Sequence, residues 1–155
     1  MTVAPTPPLA SIPIVVDASV ALKLVLAEEF TDRAQALLRD SLQARRPLVA
    51  PPHLHSEVIN ALYQRLRRRT ITEDEANQAV TQFLRFPITL SAPADLYQQA
   101  FTFAGTAALP TIYDSLYVVL AQFLGAELWT DDRRLRTALG TTAPWVRWIG
   151  DYPLP

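Results

Sequence analysis

Ile14-Val15-Val16-Asp17-Ala18-Ser19 is the stretch on which the fold turns. Three β-branched residues end at a carboxylate, a small residue and a hydroxyl, and helical spacing follows from Val20 to Ala27. A short apolar run that passes straight into a helical pattern reads as a buried strand feeding a helix. Asp17 then stands at the carboxyl end of a strand, where open α/β sheets keep their ligand sites. An acid in that place either belongs to a metal or phosphate site or caps the helix.

The same alternation continues outward from this stretch. Thr31 to Ala44 carries Ala34, Leu37, Leu38 and Leu42 as an apolar stripe, with Thr31 as its N-cap. Leu48-Val49-Ala50 reads as a second strand between prolines, and 53–69 as a helix with Leu54, Val58, Ala61 and Leu62 inward. Thr72 and Glu75 have the spacing of a capping box, opening a helix with Ala76, Ala79, Val80, Phe83 and Leu84 on its stripe. Ile88-Thr89-Leu90 is a third short strand, followed by helices over 94–107 and 111–124, the latter the most apolar and ending at Gly125. Glu127 to Thr130, a helix over 132–139, and Trp145 to Trp148 complete the pattern. Short apolar strands alternating with helices predict an α/β domain whose central parallel sheet is covered on both faces. Four prolines and no basic residue mark 1–12 and the adjoining Pro13 off as a loose tail rather than a signal peptide. One domain over 13–150 and a short tail over 151–155 account for the rest.

Composition removes several chemistries. The 155 residues include no cysteine, which rules out disulfides, thiolate metal sites and cysteine nucleophiles. The four glycines, at 105, 125, 140 and 150, form no phosphate-cradling loop, and no G-x-S-x-G elbow occurs. A net charge of −1 gives no global basic field, so contact with nucleic acid must be local or bridged by a cation. No apolar run is long enough to span a membrane, and the expectation is a cytoplasmic protein. His53 and His55 lie two apart at a helix start, where they splay, and read as ordinary capping or surface histidines. What remains is carboxylate chemistry with Mg²⁺, Mn²⁺ or Ca²⁺.

Four acids carry that possibility. Asp17 ends a strand, and Glu57 shares the apolar stripe of its helix with Asn60 one turn on. Asp114 opens the most apolar helix, and Thr130-Asp131-Asp132 repeats the strand-to-acid-to-helix order of Asp17. Each has a plain alternative: a helix cap, a dipole partner, or a Glu bonded to Asn60 or a neighbouring Arg. Several carboxylates brought together raise one another's pKa, and a divalent cation removes that conflict.

These pieces resemble the PIN-domain family, in particular the VapC-type ribonuclease toxins of toxin–antitoxin pairs. The resemblance lies in Val15-Val16-Asp17-Ala18-Ser19, Ser56-Glu57-Val58-Ile59-Asn60-Ala61-Leu62, Tyr113-Asp114-Ser115-Leu116-Tyr117 and Leu128-Trp129-Thr130-Asp131-Asp132-Arg133-Arg134-Leu135. It spans about residues 12–150 and implies a three-layer α/β/α fold with Mg²⁺- or Mn²⁺-dependent cleavage of RNA. Asp17, Glu57, Asp114 and Asp132 would be its metal-binding and catalytic acids, with Asp131 an alternative to Asp132. Ser19, Asn60 and Thr130 would support them, and Arg65, Arg67, Arg68 and Arg69 would be able to contact RNA phosphates. A cognate antitoxin and a homodimer are further implications. Ser19 counts against a dehalogenase-type phosphatase, which would need an Asp at that position. A housekeeping RNA-processing nuclease and a PIN-fold binding module without activity stay open beside the toxin.

Overall fold

A computed structural model describes residues 12–155. The predicted tail over 1–12 therefore lies outside the described residues except for Ile12, whose side chain packs on the core and whose carbonyl accepts from Arg46 Nε. The strands are β1 (Ile14–Val16), β2 (Leu48–Ala50), β3 (Ile88–Leu90), β4 (Glu127–Thr130) and β5 (Val146–Trp148). The helices are α1 (Ala18–Lys23), α2 (Thr31–Gln43), α3 (Leu54–Arg67), α4 (Glu73–Phe83), α5 (Leu96–Thr106), α6 (Ile112–Leu124) and α7 (Arg133–Leu139). The five strands pair in the order β3-β2-β1-β4-β5, every pairing parallel.

Strand periodicity divides the apolar residues between two faces. Val15, Val49, Leu128 and Val146 belong to one cluster with Leu54, Val58, Leu96, Leu116 and Leu120. Ile14, Val16, Leu48 and Trp129 belong to the other, with Leu37 of α2 and Ile149. The result is the three-layer α/β/α arrangement expected from the alternation. α6 is its central helix, with every residue from Ser115 to Ala121 buried. Gly125 ends α6 at φ 59°, a conformation that costs a residue with a Cβ more than it costs glycine.

Most of the expected elements fall within two residues of their observed ends, and four local readings need correction. α1 stops at Lys23 rather than Ala27, and a turn carries the chain to Phe30 at φ 63°. Thr31 is consequently inside α2, and its hydroxyl secures the turn by accepting from Glu28 N and donating to Leu26 O. Leu42 and Leu84, expected inward, are 59% and 56% exposed, one in the last turn of α2 and the other capping the end of α4. Thr72 and Glu75 do form the capping box. The body also extends past residue 150: Tyr152 packs its ring on Trp129, its hydroxyl donates to Asp40 at 2.8 Å, and its carbonyl accepts from Arg33.

The topology fixes where a site belongs. From β1 the chain moves outward to β2, whereas from β4 it moves to β5 on the opposite side. The adjacent ends of β1 and β4 therefore form a topological switch point, the crevice in which doubly wound sheets bind ligands. Asp17 follows β1 and Asp131 follows β4 at that crevice.

Candidate active site

One rule of parallel sheets brings the four acids to a single edge. The helices of βαβ units run antiparallel to the strands, so those that follow a strand directly, and those that lead back into one, begin at the carboxyl edge. Asp17 caps α1, Glu57 lies in the first turn of α3, Asp114 in the first turn of α6, and Asp132 caps α7. Four helix starts converge there, and each presents a partial positive charge that favours carboxylates.

The sheet-borne half is tightly tied. Asp17 is 8% exposed, and its Oδ1 accepts from Ser19 Oγ at 2.6 Å and from Val20 N at 3.1 Å. Ser19 Oγ accepts in turn from Asp131 N at 2.8 Å, crossing the crevice from α1 to the turn after β4. Thr130 is fully buried; its hydroxyl bonds the Asp17 side chain and accepts from Asp132 N at 3.0 Å. Asp132 Oδ1 accepts from Arg134 N and Leu135 N, so it caps α7, and its charge reaches Asp114. Burial pushes the Asp17 carboxyl up to about 6, against the pull of the Ser19, Thr130 and Val20 hydrogen bonds, and the Asp114 charge adds to the rise.

The helix-borne half is held differently. Glu57 bonds neither Asn60 nor an arginine; it accepts from the Tyr117 hydroxyl and lies 3.4 Å from His53 Nε2. The His53 ring packs at 4.8 Å from Tyr117 and 5.7 Å from Tyr113, between α3 and α6. Burial lowers the His53 pKa, with Glu57 and the Tyr113 backbone pulling the other way. Burial, then the Asp132 and Glu57 charges, hold the Asp114 carboxyl above its usual range. Asp114 therefore feels both halves, and Asp17 feels Asp114.

Residues 14–138 match the PIN domain family. The chain belongs to that family. Ribonuclease VapC12 of Mycobacterium tuberculosis is 35% identical over 130 residues, which cover 84% of this chain and 95% of that protein. Ribonuclease VapC3 of Pyrobaculum aerophilum is 32% identical over 130 residues, covering 79% and 91%. The crystal structure of PAE2754 from Pyrobaculum aerophilum superposes with a TM-score of 0.65 at 20% identity, over 97% of this chain and 94% of that one. VapC20 of Mycobacterium tuberculosis, described as a sarcin-ricin loop cleaving toxin, gives 0.56 at 19% identity, over 82% and 95%. At those identities the two structures speak for the fold, and the PIN fold is what they share with this chain.

Within this PIN domain the two neighbouring acids separate cleanly. Asp131 Oδ2 lies 2.7 Å from the Lys23 ammonium and its Oδ1 accepts from Trp148 Nε1, so its carboxylate is already engaged. Asp132 is the one whose charge reaches Asp114. Among the described residues no three His, Asp or Glu side chains are arranged to enclose a metal ion by themselves. The donor set nonetheless suits a hard cation. It is all oxygen, and two of its acids are held above their usual pKa by burial and mutual repulsion. Mg²⁺ commonly takes only one or two protein carboxylates and keeps several waters, so a preassembled trio is not required.

The arginines are placed less favourably. Arg65 is ion-paired with Glu28. Arg67, Arg68 and Arg69 are exposed at the far end of α3, where the helical rise puts Arg68 roughly 16 Å beyond Glu57. Sequence reading also missed three members of the neighbourhood: Tyr117, His53 and Lys23. Tyr117 hides in an apolar run that reads as core, and only its phenol, the one polar group there, hinted at more. His53 was legible as a helix-start histidine but not as a ring between two tyrosines. Lys23 is a charged residue four past the small Ser19 on a short helix, a position with no special mark. Exposed Arg133 and Arg134 adjoin Asp132, and the Arg133 guanidinium stacks 4.2 Å over Trp148.

Proposed function

We propose that this chain is an endoribonuclease of the VapC type, the toxin of a toxin–antitoxin pair, and that it hydrolyses RNA phosphodiesters with Mg²⁺ or Mn²⁺. The observation that carries the reading is the gathering of Asp17, Glu57, Asp114 and Asp132 at the β1/β4 crevice, close enough for Asp114 to feel Glu57 and Asp132 and for Asp17 to feel Asp114. Kinship with two VapC ribonucleases across most of the chain supports it.

In this reading the four acids hold the cation directly or through water, and Thr130 contributes its hydroxyl. When bound, the cation supplies positive charge to the scissile phosphate and lowers the pKa of a water beside it. The protein's own part is preorganisation. Ser19 and Thr130 fix the Asp17 carboxylate, Tyr117 fixes that of Glu57, and the capped start of α7 fixes Asp132. Burial of Asp17 keeps bulk water from screening its charge. Exposed Arg133 and Arg134 beside Asp132, and Arg68 and Arg69 farther away, are available to RNA phosphates. An antitoxin partner belongs to the same reading, as does a second copy of the chain. Tyr97, Phe101 and Phe123 of α5 and α6 are exposed apolar residues available to either.

The test is RNA cleavage by the wild type with Mg²⁺ or Mn²⁺ beside Asp17→Ala and Glu57→Ala. Cleavage that needs the cation and disappears in both variants is expected. Equal cleavage by the variants, or none by the wild type with any divalent ion, would sink the reading.

A further inference from the structure

Lys23 is the least exposed charged side chain described, at 3%. A buried ammonium is costly unless it is paired and hydrogen-bonded. It is paired twice: with Asp131 Oδ2 at 2.7 Å and with Glu28 Oε2 at 3.6 Å. Glu28 Oε1 is held in turn by Arg65 of α3, the helix that carries Glu57. The lysine ends α1, the helix that Asp17 caps, so its charge also complements the carbonyl end of that helix. One ammonium thus joins α1, the turn after β4 and, through Glu28, the last turn of α3.

Asp131 is where this network enters the acid site. Its carboxylate is gripped on both oxygens, by Lys23 and by Trp148 Nε1. Its main-chain N–H donates to Ser19 Oγ, which donates to Asp17 Oδ1. Thr130 and Asp132 flank it in the chain and bond each other across it, Asp132 N to Thr130 Oγ1. Rotation at residue 131 would therefore displace Ser19, Asp132 and the support of Asp17 together.

We propose that Lys23 is a positioning residue of the acid site, whose grip on Asp131 sets the β4–α7 turn from which Thr130 and Asp132 meet Asp17 and Asp114. The proposal rests on the ribonuclease reading for its activity arm but not for its cation-binding arm. Nothing about it requires Lys23 to touch RNA.

A purely structural role would also make Lys23→Met harmful, because it strands the half-buried Asp131 carboxylate. The double variant Lys23→Met/Asp131→Leu separates the two. Replacing an ion pair with a buried member by apolar side chains is often neutral for stability. The double variant should thus melt close to the wild type yet keep a misplaced turn. Calorimetric Mn²⁺ binding to RNA-free protein and kcat should both fall on the order of 10–100-fold, the usual cost of losing a support behind metal ligands. KM for RNA should stay within about twofold, since uniform substrate binding is untouched. A double variant that regains the wild-type melting temperature together with wild-type Mn²⁺ affinity and kcat overturns the proposal. If Lys23→Met alone does not fold, the double variant carries the decision. If the wild type cleaves no RNA, the functional reading fails, while Mn²⁺ binding still decides Lys23: weaker in the double variant upholds it, unchanged overturns it.

Discussion

The two halves of the acid site are built on different principles. Asp17, Thr130 and Asp132 sit on strand ends and are knitted by main-chain and hydroxyl hydrogen bonds that cross between β1 and β4. Glu57 and Asp114 sit on helix starts, and among the described residues Glu57 alone of the two has a side-chain partner, the Tyr117 phenol, with the His53 ring beside it. Backbone hydrogen bonds fix the register of β1 on β4, pairing Val15 with Leu128 and Val16 with Trp129. Two helices meeting over a core are set only by side-chain packing. The sheet half therefore defines the site, and the helix half closes on it.

That contrast predicts the largest loss for the most central member of the sheet half. Asp17→Ala should lower kcat by roughly 10²–10³-fold, the range for removing one preorganised electrostatic group. It should do so without lowering stability at pH 7 in metal-free buffer, because the native carboxylate is itself under strain. Its folded pKa of about 6 lies above the usual 3.8, chiefly through burial. Between those values the folded state keeps a proton that the unfolded chain has released. The Asp17 contribution to stability is thus greatest below pH 3.8 and declines as pH rises through 6, by about 3 kcal/mol for a shift of about two units. Urea unfolding in EDTA across pH 4–7 should show that decline in the wild type and a flatter profile in Asp17→Asn. Adding Mg²⁺ at pH 7 should restore stability, since a cation that binds only the folded state raises it. Equal slopes for the two proteins would remove Asp17 from this account.

The next comparison pits one support from each half against the other. Thr130→Val keeps the shape of a fully buried side chain but strips the hydroxyl that serves both Asp132 N and Asp17. Losing the partner of the part-buried Asp132 N–H, together with the hydroxyl's bond to Asp17, costs about 1–3 kcal/mol. Activity should fall on the order of 10–100-fold with it. Tyr117→Phe removes one hydrogen bond to Glu57, a residue that water still reaches. Its cost should be nearer 1 kcal/mol and about tenfold in kcat. If Tyr117→Phe proved the more damaging, the helix half would be the rigid one and the division drawn here would be reversed.

The legible part of this architecture is the part written in short-range patterns. A β-branched triplet gave away β1, and short apolar runs bounded by turn residues gave away the other strands, including the edge strand Ile88–Leu90, which Pro87 precedes. The acids were legible because a polar residue at a strand end or on an apolar stripe breaks a local rule. Their convergence was not read from any one segment; it follows from the parallel topology, which puts helix starts at one edge. Leu42 and Leu84 misled because periodicity identifies a face but not whether that face is still covered where a helix ends. Tyr117 and Lys23 escaped because their partners, Glu57 and Asp131, lie 60 and more than 100 residues away in the chain. No single segment distinguishes Asp131 from Asp132 either; a lysine on another helix does.

The smallest effect should come from the arginines farthest from both halves. Arg68 and Arg69 follow the C-terminus of α3, and the capped acids lie at the opposite end of that helix. Positive charge at the C-terminal end of α3 is favourable to its dipole whether or not RNA is bound. Any RNA contact there would be to phosphate and so would act on affinity alone. Arg68→Ala/Arg69→Ala should leave kcat at the wild-type value and raise KM by less than about threefold, with the salt dependence of KM flattened by one or two phosphate contacts at most. Arg133→Ala/Arg134→Ala, beside Asp132 at the start of α7, should raise KM more than the α3 pair does. The reverse order would mean that RNA runs along α3 rather than across the β1/β4 crevice. The rigid half of the site would then not be the half that positions the substrate.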